Sequence, residues 1–390
     1  MSLRRRLLVT TATLLGLAVV AMLTVVAPLV DRRMNTVIPG RTLAASPAAQ
    51  ALHADATIVD LHADALLWPR DLNERHDHGH VDLPRLQEGH VALQLFSVVT
   101  KTPRGINYDR NTGDTDNITL LAIAERYPPR AWRSLRERAL WQAHRFEQMA
   151  TQSAGALRPV RTVRELDQLL ASRGSGSGVI GGILATEGLH PAEGEVMNVD
   201  TLFAAGFRVF GLTHFFDNEI GGSAHGISHG GLTAFGRAAV ERLVALGAII
   251  DVAHASPALM DDVLRRTGAA VMVSHTGVQA TCPGPRNLSD DQLRAIAARG
   301  GLVGIGLWDG AICEVSAGSF ARAVRHALSV AGDRAVALGS DFDGATRVPF
   351  DASGLASLTE AMLQAGLTPE QVRGVLGGNA VDFLRRHLPP

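Results

Sequence analysis

The feature that most constrains this chain is one that recurs: a short, continuously apolar run that stops at a metal-ligand type of side chain. The first instance is IVDLHAD at residues 58–64, where Ile58 and Val59 lead into Asp60, His62 and Asp64. Residues two apart in a β-strand point to the same side, so His62 and Asp64 are expected to project together from a strand end. Residues 179–184 run into Glu187, 207–212 into Thr213-His214 and 248–252 into Ala253-His254. Residues 269–273 run into Ser274-His275, 302–307 into Trp308-Asp309 and 335–338 into Gly339-Ser340-Asp341. Residues 91–99, bounded by Gly89 and Lys101, form a further apolar run.

These runs are apolar throughout rather than alternating, as parallel strands buried on both faces require. Helical patterns separate most of them. Leu135, Ala139, Leu140, Ala143 and Phe146 make a stripe over residues 134–149. Residues 200–205, 237–246, 257–266 and 320–330 also read as helices. Ser289 and Gln292 form a capping box, with Gly300 as the stop, and Thr368-Pro369 opens the last helix. Eight β-α units over about 330 residues predict an α/β fold, a (β/α)8 TIM-like barrel with insertions. A doubly wound open sheet is the alternative. It fits less well, because no glycine-rich phosphate loop follows the first strand.

In a barrel all strand ends carrying these residues face one mouth. Any single histidine there reads more simply as a satisfied core residue. Six ends with ionisable side chains cost desolvation unless they bind something. Three histidines and two carboxylates exceed the needs of one tetrahedral zinc, and suit two ions roughly 3.5–4 Å apart with Glu187 as the bridge. Two such ions sharply lower the pKa of a bridging water and supply hydroxide at neutral pH. That implies hydrolysis of a carbonyl or phosphoryl centre, without choosing between them. The cluster His76, His78 and His80 is expected as a solvated loop at the rim of the site. The segment GSGSG at residues 174–178 is expected as a flexible connector.

The N-terminus reads differently. Arg4, Arg5 and Arg6 precede residues 7–30, which carry no charge, and Arg32 and Arg33 follow. As a helix this run reaches roughly 36 Å, enough to cross a bilayer. Residues 1–30 are therefore expected as an uncleaved N-terminal transmembrane helix, 31–50 as a linker and 51–390 as the hydrolase domain. The arginine bias places the catalytic domain on the periplasmic or extracellular side. The abundance of Ala, Gly and Arg suggests a bacterial source, hence a bacterial cytoplasmic membrane. A net charge of −1, with 46% apolar and 19% charged residues, argues against disorder and against nucleic acid as a partner. Cys282 and Cys313 are the two cysteines; they either pair or stay as free thiols.

Over most of residues 57–385 the chain resembles the membrane dipeptidase (renal dipeptidase) family, metal-dependent barrels of the amidohydrolase superfamily. The resemblance rests on DLHAD, where that family commonly has D-G-H-N-D, on HVDLPRLQEGHVALQLFSVV at 80–99, and on Glu187-Gly188 and GLTH at 211–214. It continues through GLTAFGRAAVERLVALGAIIDVAHAS at 231–256, VSHTG at 273–277, RNLSDDQLR at 286–294, GSDFDG at 339–344 and GGNAVDFLR at 377–385. It implies two Zn2+ per chain, one on His62 and Asp64 and one on His254 and His275, bridged by Glu187. His214 would stabilise the oxyanion as a metal-bridging hydroxide attacks. Arg286 would pair with the substrate carboxylate, and Asp341 would orient the nucleophile and pass its proton to the leaving amine. The implied substrate is a small dipeptide, including those with a C-terminal D-residue. The loop FFDNEIGGSAHGISHG, with His225 and His229, would shape the pocket. The expected partners are that dipeptide and, through the N-terminal helix, the membrane; a homodimer is left open. Rival readings are a related barrel hydrolase acting on a lactone, cyclic amide or phosphoester, and an inactive membrane-anchored dipeptide-binding protein.

Overall fold

The structure is a computed structural model that describes residues 3–174, 178–266 and 268–390. Eight parallel strands appear in chain order: β1 (Ile58–Ala63), β2 (Val91–Val99), β3 (Ile180–Glu187), β4 (Phe207–Gly211), β5 (Ile249–Asp251), β6 (Ala270–Thr276), β7 (Leu302–Ile305) and β8 (Val336–Leu338). Their hydrogen-bonded order is β2-β1-β8-β7-β6-β5-β4-β3; a ninth, short strand, Leu157–Pro159, pairs in parallel with the start of β3, and β3 pairs back onto β2 from Leu93↔Gly181 to Val99↔Glu187. That last pairing closes the sheet, so the open doubly wound alternative is excluded.

Closure explains why the runs are apolar throughout. Each strand contributes to one buried cluster, through Val59, Leu93, Ile183, Val209, Ile249, Met272, Leu302 and Ala337. Phe383 and Leu384 of the last helix join the same cluster. Helices supply the outer cover; Phe146 of the helix Leu135–Gln152 lies 5.4 Å, ring to ring, from Phe96 of β2. Burying such side chains stabilises by roughly 25 cal/mol per Å² of apolar surface removed from water.

Local signals set most helix starts. Ser134 caps Leu135–Gln152, Thr233 caps Ala234–Ala245, and the Ser289–Gln292 box opens Asp290–Ala298. Two glycines are steric necessities: a Cβ at Gly304 or Gly339 would sit 2.1 or 1.9 Å from the Ser274 carbonyl oxygen. The backbones of β6, β7 and β8 thus crowd together beside the mouth, where only glycine fits.

Three expectations are corrected. Among the described residues no helix is long and apolar enough to cross a membrane. The apolar run is divided between Leu3–Ala21, which starts with three arginines, a π-helical turn Met22–Val26, and Ala27–Met34. The stretch expected as a linker is packed on the barrel. Asp31 and Asn35 are buried, Thr36–Val37 pairs in parallel with Arg347–Val348, and Ser46 caps the helix Pro47–Asp55. Strand ends also shift: β5 is Ile249–Asp251 rather than 248–252, and β6 continues to Thr276, so His275 lies within it. In the glycine-serine segment, Gly174 closes the helix Val163–Gly174, and residues 175–177 lie outside the described residues.

Cys282 and Cys313 form a disulfide, which decides between the two alternatives left by the sequence. It ties the loop after β6 to the segment after β7 across 31 residues. Replacing both cysteines with serine is expected to lower the unfolding free energy by about 3 kcal/mol. Equal denaturant midpoints for the parent and the double-serine protein would contradict this.

Candidate metal centre

Of the strand-end residues singled out above, His62, Asp64, Glu187, His214, His254, His275 and Asp341 converge at the barrel mouth, whereas Asp309 is exposed and stands apart from them. Glu187, the last residue of β3, is the hub. Its Oε1 lies 3.1 Å from His254 Nε2, 3.3 Å from His214 Nε2, 3.4 Å from His275 Nε2 and 3.6 Å from His62 Nε2. His254 Nε2 and His275 Nε2 are 3.1 Å apart. His62 Nε2 is 3.5 Å from Asp64 Oδ1 and 3.9 Å from Asp341 Oδ1. Seven side chains therefore meet in one buried volume, none more than 8% exposed. Three overlapping triads have ligand atoms within 4.8 Å of one another: His62–Glu187–His275, Glu187–His214–His254 and His62–Asp64–Asp341.

Buried hydrogen bonds orient these rings. Ser274 Oγ lies 3.1 Å from His62 Nδ1 and 2.9 Å from His275 Nδ1. A hydroxyl oxygen has two lone pairs, so both Nδ1–H groups can donate to it while its own proton goes to Asp251. Asp251 is fixed in turn by the amides of Ala253 and Ser274. With Nδ1 protonated, the neutral His275 keeps its Nε2 lone pair for a cation; burial disfavours a charged His62, but Asp64 and Glu187 raise its pKa well above the ordinary value, so its Nε2 must give up a proton to do the same. Asp60 works similarly across the barrel, accepting from the Ser340 amide and hydroxyl at 2.8 and 2.6 Å. His254 has a left-handed backbone, φ 59°; its carbonyl accepts from the Ala224 amide at 2.8 Å.

The electrostatics point to cations. Burial raises the Asp64 pKa to about 7, reinforced by the Glu187 charge. Burial likewise pushes Asp341 well above the usual carboxylate range, with Asp64 and Glu187 adding to it. Burial opposes ionisation of Glu187 too, but His214, His62 and bonds from His254 and His275 hold its pKa well below the usual range. Burial drives His254 and His275 well below their ordinary values, so both are neutral near pH 7. His62 Nε2 and Asp64 Oδ1 are buried without a hydrogen-bond partner. Lone-pair nitrogens among crowded carboxylates, with orphaned buried atoms, are a donor set suited to divalent cations.

Arg286 is buried beside this cluster and donates from Nη2 to the His275 carbonyl at 2.7 Å. Its guanidinium lies 5.2 Å from the Trp308 ring centre. A cavity of about 300 Å³ is lined by His254, Arg286, Ala224, His229, Met260 and Gln292, among others. The excursion after β2 covers the mouth: Tyr108 Oη accepts from Trp308 Nε1 at 3.0 Å, and the Tyr108 carbonyl accepts from His225 Nδ1 at 2.8 Å.

Ser274, Asp251, Tyr108 and Trp308 were not singled out from the sequence. For Ser274, its place immediately before His275 was the available signal. The His-rich stretch differs from expectation. His80 is fully buried, and its Nδ1 accepts from the Asp343 amide at 2.9 Å. His78 reaches Asp31 at 3.3 Å.

A sequence model described as membrane dipeptidase (peptidase family M19) matches residues 47–387. Dipeptidase aclJ of Aspergillus oryzae is 29% identical over 365 residues, covering 87% of this chain and 80% of its own length. The crystal structure of dipeptidase AC, a metallopeptidase of family M19, superposes with a TM-score of 0.70 at 25% identity, covering 86% of this chain and 99% of that one. A metallopeptidase from Rhodobacter sphaeroides, solved with a phosphinate mimic of L-Ala-D-Ala, shares the fold with a TM-score of 0.69 at 24% identity, covering 85% and 99% of the two chains.

Cation binding should fall with pH. A cation held here would need the Asp64 carboxylate, which is protonated below about pH 7, and a neutral His62; burial disfavours the His62 charge, but Asp64 and Glu187 raise its pKa well above the ordinary value, whereas His254 and His275 stay neutral through that window. Apparent affinity for Zn2+ is therefore expected to rise with pH through neutrality and to weaken steeply towards pH 5.5. A chromophoric chelator titration showing a flat profile would contradict it.

Proposed function

Because the chain belongs to the membrane dipeptidase family of metallopeptidases, we propose that it is a binuclear zinc dipeptidase that hydrolyses small dipeptides, those with a C-terminal D-residue included. The observation that carries this reading is the convergence of four imidazole nitrogens on one Glu187 oxygen, with Asp64 and Asp341 alongside.

His62, Asp64, Glu187, His254 and His275 would hold the ions, with Glu187 shared between them. The metal pair would supply a nucleophile at neutral pH and polarise the scissile carbonyl. The remaining groups belong to the chain itself. His214, kept neutral chiefly by burial, stands beside Glu187 to donate to the developing oxyanion. Arg286 offers a planar fork that matches a carboxylate. Its burial pays off only if an anion arrives, since its strongest carboxylate neighbours, Asp341 and Glu187, have other tasks. Asp341, with its raised pKa, can carry a proton and hand it to the leaving amine.

The disulfide supports an oxidising compartment. We place the catalytic domain on the periplasmic or extracellular side of a bacterial cytoplasmic membrane. Exposed Leu7, Val9, Leu14, Val25 and Leu29 on the N-terminal helices support attachment to that membrane.

The test is amino-acid release from L,L and L,D dipeptides by the zinc-loaded protein, with and without chelator. Chelator-sensitive cleavage is expected. Arg286→Ala should raise KM at least about tenfold for free dipeptides and much less for C-terminally amidated ones. Equal effects on both would remove Arg286 from carboxylate binding. No cleavage by a folded, metal-loaded protein would overturn the dipeptidase reading in favour of another substrate of the same hydrolytic class.

A further inference from the structure

The loop that leaves β8 carries Asp341 and has an unusual backbone. Asp341, Asp343 and Ala345 have φ of 60°, 61° and 58°. None is glycine, and left-handed backbone is disfavoured for side chains with a Cβ. Such a conformation persists only where neighbours over-determine it.

One set of neighbours belongs to the barrel. Asp343 accepts from the His80 and Val81 amides at 2.7 and 3.1 Å. The Phe342 carbonyl accepts from the Asp64 amide at 2.9 Å.

The other set comes from the N-terminal segment. Asn35 Oδ1 accepts from the Ala345 amide at 2.9 Å. The Thr36 amide donates to the Thr346 carbonyl at 3.2 Å and the Ile38 amide to the Val348 carbonyl at 2.9 Å. Thr346 Oγ1 then donates to the Asp341 carbonyl at 2.8 Å, so the segment holds Asp341 through a single residue. Asp31 anchors it. Arg70 donates from Nε to Asp31 Oδ2 at 2.7 Å and pairs through Nη2 with Asp343 Oδ2 at 2.8 Å, with all three side chains at most 2% exposed. Asn35 Nδ2 also donates to Asp31 Oδ1 at 2.8 Å.

The N-terminal side of these contacts, residues 31–38, precedes the part of the chain that matches the family, which starts at residue 47, whereas their partners lie within it. They are additional to the barrel and specific to what precedes it. We propose that residues 31–37 form a strap that positions the Asp341 loop for the hydrolytic step, with Asn35 and Asp31 as its positioning residues. The strap continues the N-terminal helix Ala27–Met34, so whatever fixes that helix also steadies the loop. The inference rests on the role of Asp341 given above, but its first readout does not.

The experiment compares the full chain with Asn35→Ala and Asp31→Asn, using Arg41→Ala as control because Arg41 lies outside the strap and pairs with exposed Glu314. The first readout is hydrogen exchange in the metal-free protein. Asn35→Ala is expected to speed exchange about tenfold across residues 341–348 and to leave β5 unchanged. The second readout, on metal-loaded protein, is dipeptide turnover: kcat about tenfold lower, KM within about twofold and metal content unchanged. Arg41→Ala should match the parent in both. Asp31→Asn is read in the same way and decides the matter if Asn35→Ala does not fold.

Unchanged loop exchange would overturn the proposal. So would faster exchange over the whole barrel, collapse of both variants, or a loosened loop with kcat intact. A parent chain that cleaves no dipeptide would refute the dipeptidase reading, while the exchange arm would still decide the strap.

Discussion

The site depends on a single oxygen. Glu187 Oε1 sits at the centre of four imidazole nitrogens, each within 3.6 Å, in a volume nearly closed to water. Such a group of lone pairs and carboxylates is unfavourable by itself, because buried charge must be compensated. A pair of divalent cations would satisfy it. The barrel brings the group together, since only a closed parallel sheet delivers β1, β3, β4, β5, β6 and β8 to one mouth. Ser274, shared by two histidines and backed by Asp251, shows how the frame then fixes each ring.

The strand ends were legible in the sequence because two signals coincide there. Continuous apolar runs mark buried parallel strands, and a ligand-type residue at the end of nearly every run marks the mouth. His62, Asp64, Glu187, His214, His254, His275 and Asp341 all carry that double mark. Asp60 carries it too but turns to Ser340 instead of joining the cluster, and Ser340 does not carry it, although the pair holds the site together. Their bond spans 280 residues and exists only because β1 and β8 are neighbours, which no local pattern encodes. Arg286 was legible only through family resemblance. On its own it reads as a surface arginine before a helix cap, whereas it is buried against the His275 carbonyl.

The polar stretches were the harder part to read. Composition makes residues 31–50 look like a tether and residues 75–80 like a solvated rim. Both are docked, and for one reason: a few polar side chains find buried partners far away in the chain. Asp31 meets Arg70, Asn35 meets Ala345, and His80 meets Asp343. The N-terminal run shows the converse case. Its hydropathy suggested one span, but among the described residues no helix is long and apolar enough to cross a membrane; the run passes through a π-helical turn at Met22–Val26 and ends on Asp31 and Asn35, which are buried.

The most direct test of the central claim is the metal content of the purified full chain beside Glu187→Ala, measured by elemental analysis after dialysis against zinc. The account predicts two equivalents of zinc per parent chain, and at most one weakly held equivalent in a variant that still folds. Two tightly held equivalents in Glu187→Ala, or none in a folded parent, would contradict it.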